Sequence, residues 1–290
     1  MNVLSLFDGL SCGQIALNRL GIKYDNYYAS EIDKHAIKVT QHNYPNTIQL
    51  GDITQLKGSD LPKIDLLFGG SPCQGFSESG KKLNFDDPRS ALFFEFVRLL
   101  KETNPTYFLL ENVKMKQEWQ DIISEHLGVK PIYINSRLVS AQERKRLYWT
   151  NIPGITQPED KNVSFSDVAG DGWFCGAMRG RRIDSTKHAR SDYDRSIPIR
   201  QYIECRSDNK TNCLTTVSKD NVAVKNVAPR RTLEECEYRW LTPNEYEALQ
   251  TLPKDYTACV SDHQRRKMIG NGWTVSVIEH IFTFMNLNNN

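Results

Sequence analysis

The chain has 290 residues, 39% hydrophobic and 25% charged, with a formal net charge of +2. That is the make-up of an ordinary globular protein, long enough for one large domain and a smaller one. Seven cysteines, at positions 12, 73, 175, 205, 213, 236 and 259, form no CxxC pair, and six histidines show no HxxxH or HxE spacing. Reduced thiols in an intracellular compartment are expected, and no metal centre. No apolar run reaches membrane-span length, and Met1–Leu6 enters a strand without a charged leader, so neither a membrane nor a secretory route is expected. The small net charge hides an asymmetry. Residues 175–231 carry 13 Lys/Arg against 6 Asp/Glu, and the remainder carries 24 against 29. A basic segment on an acidic body suits a polyanionic partner.

In chain order, the apolar run Val3–Phe7 predicts a strand. A turn at Asp8-Gly9 and a helix bearing Ile15, Leu17 and Leu20 follow, and Gly21 ends that helix. Asn26–Ser30 reads as a second strand, and Asp33 as the cap of a helix running through His42. Further strands are expected at Ile48–Leu50, Ile64–Gly69 and Tyr107–Leu110, with a helix over Ser90–Lys101 between the last two. Strands alternating with helices imply βαβ units, hence an α/β fold with a doubly wound, mostly parallel sheet. Between about 154 and 242 the sequence turns polar and rich in Arg and Asp, with little periodicity, which predicts a smaller, irregular second domain. Helical patterns return at Pro243–Thr251 and Thr274–Met285. The expected division is therefore 1–153 with 243–290, and 154–242, the last helix lying beside the first strand.

Chemistry collects at the strand ends. Leu6-Phe7-Asp8-Gly9-Leu10-Ser11-Cys12-Gly13 is a glycine-bearing strand-to-helix turn without a GxGxxG pattern. Its glycines admit a close ligand, and Asp8 suits a cationic group such as an amino-acid ammonium. Glu31, after the second strand, stands where dinucleotide folds grip a ribose diol. Asp52, after the third, is placed to accept from an adenine amino group. Acidic residues at three successive strand ends fit a nucleoside with an amino-acid tail better than a dinucleotide. The fourth strand runs into Gly69–Ser77, GGSPCQGFS, where Pro72 stiffens the backbone ahead of Cys73. Glu111-Asn112-Val113 ends the fifth. A thiol and a carboxylate thus share one sheet edge, although a buried cysteine and a solvated glutamate are the commoner explanations of each alone. Gln142, Arg144 and Arg146 alternate, so on a strand they share one face.

Taken together and in order, these motifs resemble the DNA cytosine-5 methyltransferases over nearly the whole chain. FDGLSCG, Glu31 and Gly51-Asp52-Ile53 resemble the cofactor motifs, Pro72-Cys73 the nucleophile motif and Glu111-Asn112-Val113 the glutamate motif. Ser140–Arg146 resembles the QxRxR strand, Leu241–Pro253 the motif after the recognition domain, and Gly270–Val275 the closing GN motif. Gln74–Ser77 follows the bacterial and phage restriction type. Trp273, where the family often has GNSV, is more like the animal de novo enzymes. Cys213, in Asn212-Cys213-Leu214-Thr215-Thr216, stands where a threonine is usual.

The resemblance implies S-adenosylmethionine as cofactor and S-adenosylhomocysteine as product, bound through Phe7, Asp8, Gly9, Gly13, Glu31, Ile32, Asp52, Ile53, Gly70, Leu92, Asn271 and Trp273. It implies a Cys73 thiolate that adds to C6 of a flipped-out cytosine, aided by Pro72. Glu111 would face N3, its pKa raised by burial, with Gln142, Arg144 and Arg146 lining the pocket floor. Gln74–Arg89 would close over the base. Gln74, Arg179, Arg181, Arg182, Arg190 and Thr215 are the expected contacts to double-stranded DNA, within a target-recognition domain at 154–242. A monomer of bacterial or phage type is implied, in the cytoplasm, with a cognate restriction endonuclease as a further partner. A non-catalytic regulatory relative is the first alternative, but such proteins lose the Pro-Cys or the glutamate, and both are present here. RNA-directed relatives of the same fold usually carry another tripeptide after Pro-Cys and a CFT motif, which is missing. A zinc deaminase would need PCxxC, and position 76 is Phe76.

Overall fold

Short apolar runs build the central sheet of the computed structural model, which describes residues 1–72, 88–184, 189–191, 193–225 and 231–286. Its strands are β1 (Asn2–Leu6), β2 (Asn26–Ser30), β3 (Ile48–Gln49), β4 (Leu66–Gly69), β5 (Tyr107–Val113), β6 (Ile132–Asn135) and β7 (Lys145–Thr150). They stand in the order β3-β2-β1-β4-β5-β7-β6; the first five are parallel, and β7 runs antiparallel to both neighbours. Helices α1 (Cys12–Arg19), α2 (Lys34–Asn43), α3 (Pro88–Thr103) and α4 (Gln117–Leu127) form the crossovers. The pleat sends alternate residues to two cores. Val3, Leu66, Phe68 and Leu109 enter one, whereas Leu4, Leu67, Phe108 and Leu110 enter the other. Both faces are therefore covered, as a doubly wound parallel sheet requires.

Register sets the site. Leu6 pairs with both Ser30 and Gly69, and Gly69 pairs with Leu110, so the carboxyl ends of β1, β2, β4 and β5 form one edge. The strand order reverses between β1 and β4, which opens a crevice at that edge. β5 is longer than expected and carries Glu111 and Asn112 within the strand, because β7 pairs alongside them.

The second region departs from the irregular lobe expected. Strands β8 (Phe174–Arg181), β9 (Ile183–Asp184), β10 (Ala189–Arg190), β11 (Arg200–Cys205), β12 (Val222–Val224), β13 (Arg231–Thr232) and β14 (Tyr238–Trp240) follow the short helix α5 (Phe165–Ala169). Five of them form an antiparallel sheet, β13-β11-β8-β12-β14, and β9 pairs with β10 in a small ribbon. Met178, Ile203, Val222 and Val224 make its core, a cluster too dispersed in sequence to read as periodicity. The chain returns through α6 (Pro243–Leu249), α7 (Asp262–Asn271) and α8 (Val275–Phe282). α8 was expected beside the first strand; it packs chiefly on α1, its Phe282 ring 5.7 Å from that of Phe68 on β4.

Candidate active site

A cavity of about 940 Å³ runs along the strand-end edge. The β1–α1 turn and Glu31 line one part, Gly70–Pro72 and Glu111–Lys114 the middle, and residues 143–146, 212–216 and 270–273 the rest. The turn is strained: Phe7, Gly9 and Ser11 have φ of 56°, 57° and 54°, a region that non-glycine residues occupy at a cost of roughly 1–3 kcal/mol. Glu31 holds it in place. Its Oε2 accepts from Gly9 N at 2.8 Å, and its Oε1 accepts from Ile32 N at 2.7 Å and Asp33 N at 2.8 Å.

Several expected cofactor residues sit differently. Asp8 is in the cavity lining, but its carboxylate accepts from the Tyr27 hydroxyl at 2.8 Å and from Ser11, which makes it an internal brace of the turn, and burial pushes its pKa up. Gly13 is required by packing, because a Cβ there would lie 2.3 Å from the Phe68 ring. Phe7, Gly9, Gly70, Asn271 and Trp273 line the cavity. Ile32, Asp52, Ile53 and Leu92 do not belong to that lining. Ile32 is 76% exposed, Ile53 is buried in the core, Asp52 caps a short helix through Thr54 N at 2.9 Å, and Leu92 packs against the second core.

Glu111 is the centre of the middle segment. Arg146 Nε lies 2.7 Å from its Oε1, and Trp273 Nε1 donates to its Oε2 at 3.1 Å. The antiparallel register explains the first contact: Glu111 pairs with Tyr148, so Arg146, two residues along, is its diagonal neighbour on the same face. Glu111 is buried, as expected, and its polar neighbours there are a guanidinium and an indole N–H. Arg146 in turn is held more firmly protonated: burial opposes its charge, and the Glu111 carboxylate, Cys213 and Tyr148 together outweigh that.

The shared face expected of Gln142, Arg144 and Arg146 does not form, because β7 begins only at Lys145. Gln142 is fully buried and bonds to Leu249 O, Gln250 Oε1 and Leu214 N. Arg144, also buried, donates to Leu214 O at 3.1 Å, Gly270 O at 3.3 Å and Gly272 O at 2.8 Å. Both brace the loops around the cavity. Pro72 lines the cavity, and Asn112 Nδ2 reaches Ser71 Oγ at 3.2 Å, a positioning contact with no separate signal in the sequence beyond the ENV tripeptide. Cys73, Gln74 and the expected closing segment as far as residue 87 lie outside the described residues. Cys213, also in the lining, accepts from Arg144 Nη1 at 3.3 Å and Arg146 Nη2 at 3.7 Å. Burial pushes its thiol up, but these two guanidinium groups bring its pKa below the usual value.

The basic residues expected at DNA are engaged within their own lobe. Arg179 pairs with Asp220, Arg181 Nε lies 2.8 Å from Glu204, and Arg182 donates to Ile197 O. Thr215 Oγ1 donates to Asp220 Oδ2 at 3.1 Å, and Arg190 lies on β10. Asp220 and Glu204 belong to the same segment, so these pairings leave the excess of basic over acidic residues in 175–231 in place. Among the described residues no group of His, Cys, Asp and Glu could hold a metal, and no helix is long and apolar enough to cross a membrane.

A doubly wound sheet with a glycine-bearing first turn, an acidic second strand end and a glutamate facing the same crevice defines the S-adenosylmethionine-dependent methyltransferase fold. A model of the C-5 cytosine-specific DNA methylases matches residues 1–152 and 119–286, and the chain belongs to that family. It is 31% identical over 302 residues to the type II methyltransferase M1.ScrFI of Lactococcus lactis subsp. cremoris, covering 96% of this chain and 76% of the relative. Two phage proteins match shorter stretches. The orphan methyltransferase M.SPRI of Bacillus phage SPR is 36% identical over 179 residues, covering 57% of this chain and 40% of its own length. M.Rho11sI of Bacillus phage rho11s is 44% identical over 161 residues, covering 51% and 32%. The match thus spans less than half the length of either phage relative. The same fold occurs in the Entamoeba histolytica methyltransferase EhMeth, with a TM-score of 0.69, 16% identity and coverage of 98% of this chain and 97% of that one. It occurs again in Schizosaccharomyces pombe Dnmt2, with a TM-score of 0.67, 17% identity and coverage of 98% and 97%.

Proposed function

We propose that the chain methylates C5 of a cytosine flipped out of double-stranded DNA. The observation that carries this reading is Glu111, held between Arg146 and Trp273 in the wall of a cavity that also contains Pro72 and, farther along, Glu31. S-adenosylmethionine, when bound, supplies an electrophilic methyl group and leaves as S-adenosylhomocysteine. The residues suit it: Glu31 offers carboxylate oxygens to a diol, the backbone of the β1–α1 turn approaches closely, and Asn271 stands in the same lining. No phosphate-binding glycine motif competes with that assignment.

Cytosine C5 is a poor nucleophile until C6 is attacked. The Cys73 thiolate adds to C6 while Glu111 delivers a proton to N3 and accepts from the exocyclic amine, which neutralises the electron-rich ring that results. C5 then takes the methyl group. Loss of the C5 proton and expulsion of the thiolate restore the aromatic base. The target carbon lies inside a base stack, so the nucleotide must leave the duplex first. Residues 154–242 are assigned to target recognition, with phosphate and base contacts there setting position and sequence. The same reading makes the protein a monomer, with a cognate restriction endonuclease as its partner.

Duplexes carrying 5-fluorocytosine at the target site test the mechanism. Fluorine leaves no C5 proton to lose, so an S-adenosylmethionine-dependent, denaturant-stable protein–DNA complex is expected. Cys73→Ser should abolish it, and Glu111→Gln should slow its formation by about two orders of magnitude. An adduct at Cys213 or Cys12, or full activity in Cys73→Ser, would overturn the mechanism. Mapping methylcytosine in DNA from cells expressing the chain identifies the site.

A further inference from the structure

We propose that Trp273 is the positioning residue for Glu111. This rests on the role given to Glu111 above. The terminal torsion of a glutamate is broad, so one donor at one oxygen leaves the carboxylate plane free to turn. Arg146 comes to Oε1 through Nε at 2.7 Å, close enough for an ion pair but not aligned as a hydrogen bond, so it does not fix the plane. The Trp273 indole N–H, at 3.1 Å from Oε2, supplies the second point that fixes the plane. An indole nitrogen donates and cannot accept, so this contact is specific for an acceptor oxygen. With one oxygen ion-paired and the other hydrogen-bonded, the carboxylate keeps a constant orientation in the cavity wall.

The indole is itself immobilised. Its ring packs on Phe68 with centroids 5.9 Å apart and an interplanar angle of 53°. Its backbone carbonyl accepts from Cys12 Sγ at 3.7 Å. The preceding carbonyl, of Gly272, accepts from Arg144 Nη2 at 2.8 Å and Gln250 Nε2 at 3.0 Å. A third segment is shaped to allow the contact. A Cβ on Gly70 would stand 2.9 Å from Trp273 Nε1 and 3.0 Å from Glu111 Oε2, wedged between donor and acceptor. Glycine at the end of β4 therefore serves the meeting of Trp273 with Glu111, as well as lining the cavity. A tryptophan that merely walled the cavity would need neither the nitrogen contact nor the glycine.

The test has two arms. In protein labelled with nitrogen-15 at the indoles of its five tryptophans, the signal lost in Trp273→Phe identifies Trp273. That signal should move on Glu111→Gln and on Gly70→Ala. In single-turnover methyl transfer, Trp273→Phe should lower the rate roughly ten- to a hundredfold, as loss of one hydrogen bond to a charged group predicts. The loss should fall on the rate rather than on the cofactor KM. In the Glu111→Gln background the same substitution should add less than about twofold. A Trp273 signal indifferent to Glu111→Gln, or equal losses in both backgrounds, would overturn the proposal. The indole signal reads the contact in a protein with no transferase activity, so failure of methyl transfer alone would count against the activity and not against this contact.

Discussion

Glu111 and Arg146 form a mostly buried ion pair, their side chains 10% and 12% exposed. Removing one member of such a pair strands the other. Arg146→Ala is expected to destabilise by about 3–5 kcal/mol, and Arg146→Ala with Glu111→Gln should cost less than Arg146→Ala alone. Urea unfolding of the three proteins measures the difference. Cys213 gives a second expectation. With its thiol brought down by Arg144 and Arg146, Cys213 in a Cys73→Ser background should be alkylated by iodoacetamide at lower pH than a free thiol. Mass-spectrometric labelling across a pH series reads this out. Asp8 supplies a pH dependence of opposite interest. Burial raises its carboxyl above the usual value near 3.8, so the folded state binds that proton more tightly than the unfolded chain. Stability is therefore lost as pH rises from about 3.8 through the folded value, and is level above it. Asp8→Asn should gain stability over the parent across that same window, and thermal midpoints measured from pH 3 upward at about half-unit steps decide it.

Among the elements, α1 shows how a helix is placed by what it lacks. Ser11, its N-cap, is left-handed at φ 54° and makes no side-chain cap, its hydroxyl being given to Asp8 instead. The helix is held by packing, with Gly13 set against the ring of Phe68. Gly13→Ala drives a Cβ to 2.3 Å from that ring and should destabilise by about 1–3 kcal/mol. Since Phe68 also carries the Trp273 indole, a shift of the Phe68 ring should reach Glu111, and the Trp273 nitrogen signal should move in the same variant. β7 illustrates the reverse dependence. It is an ordinary strand, but its antiparallel register alone brings Arg146 to Glu111.

At the scale of the whole molecule, the two sheets are joined by buried polar groups. Lys210 Nζ donates to the carbonyls of Arg137 at 2.9 Å, Ser140 at 3.1 Å and Val163 at 2.5 Å. Gln142 and Thr211 form a bridge, and Arg206 Nη2 lies 2.7 Å from Glu143. Lys210→Met would leave those carbonyls without their donor and is expected to cost roughly 2–4 kcal/mol. Amide exchange should rise first around residues 136–143 and 209–214, where the lobes meet, and unchanged exchange there would show that the lysine is not a joint.

Much of this protein is written locally. Alternating strands and helices from β1 to β5, the Asp33 cap of α2, and Gly69-Gly70 followed by Pro72-Cys73 are each decided within about ten residues, by periodicity, capping and glycine or proline chemistry. So is the succession of acidic strand ends, and with it the family. The tertiary structure decided what meets what. Trp273 reaches Glu111 across 162 positions, and Arg146 reaches it by register, neither of which is a local property. It also decided that Gln142 braces loops away from the cavity lining while Arg144 braces loops and lines the cavity as well, because β7 starts after them. The second lobe was illegible for the same reason: its strands are two to eight residues long, its core is four scattered side chains, and its arginines find acidic partners only once the sheet has formed. Helix and strand preferences act between neighbours in sequence. Ion pairing, burial and register act between neighbours in space.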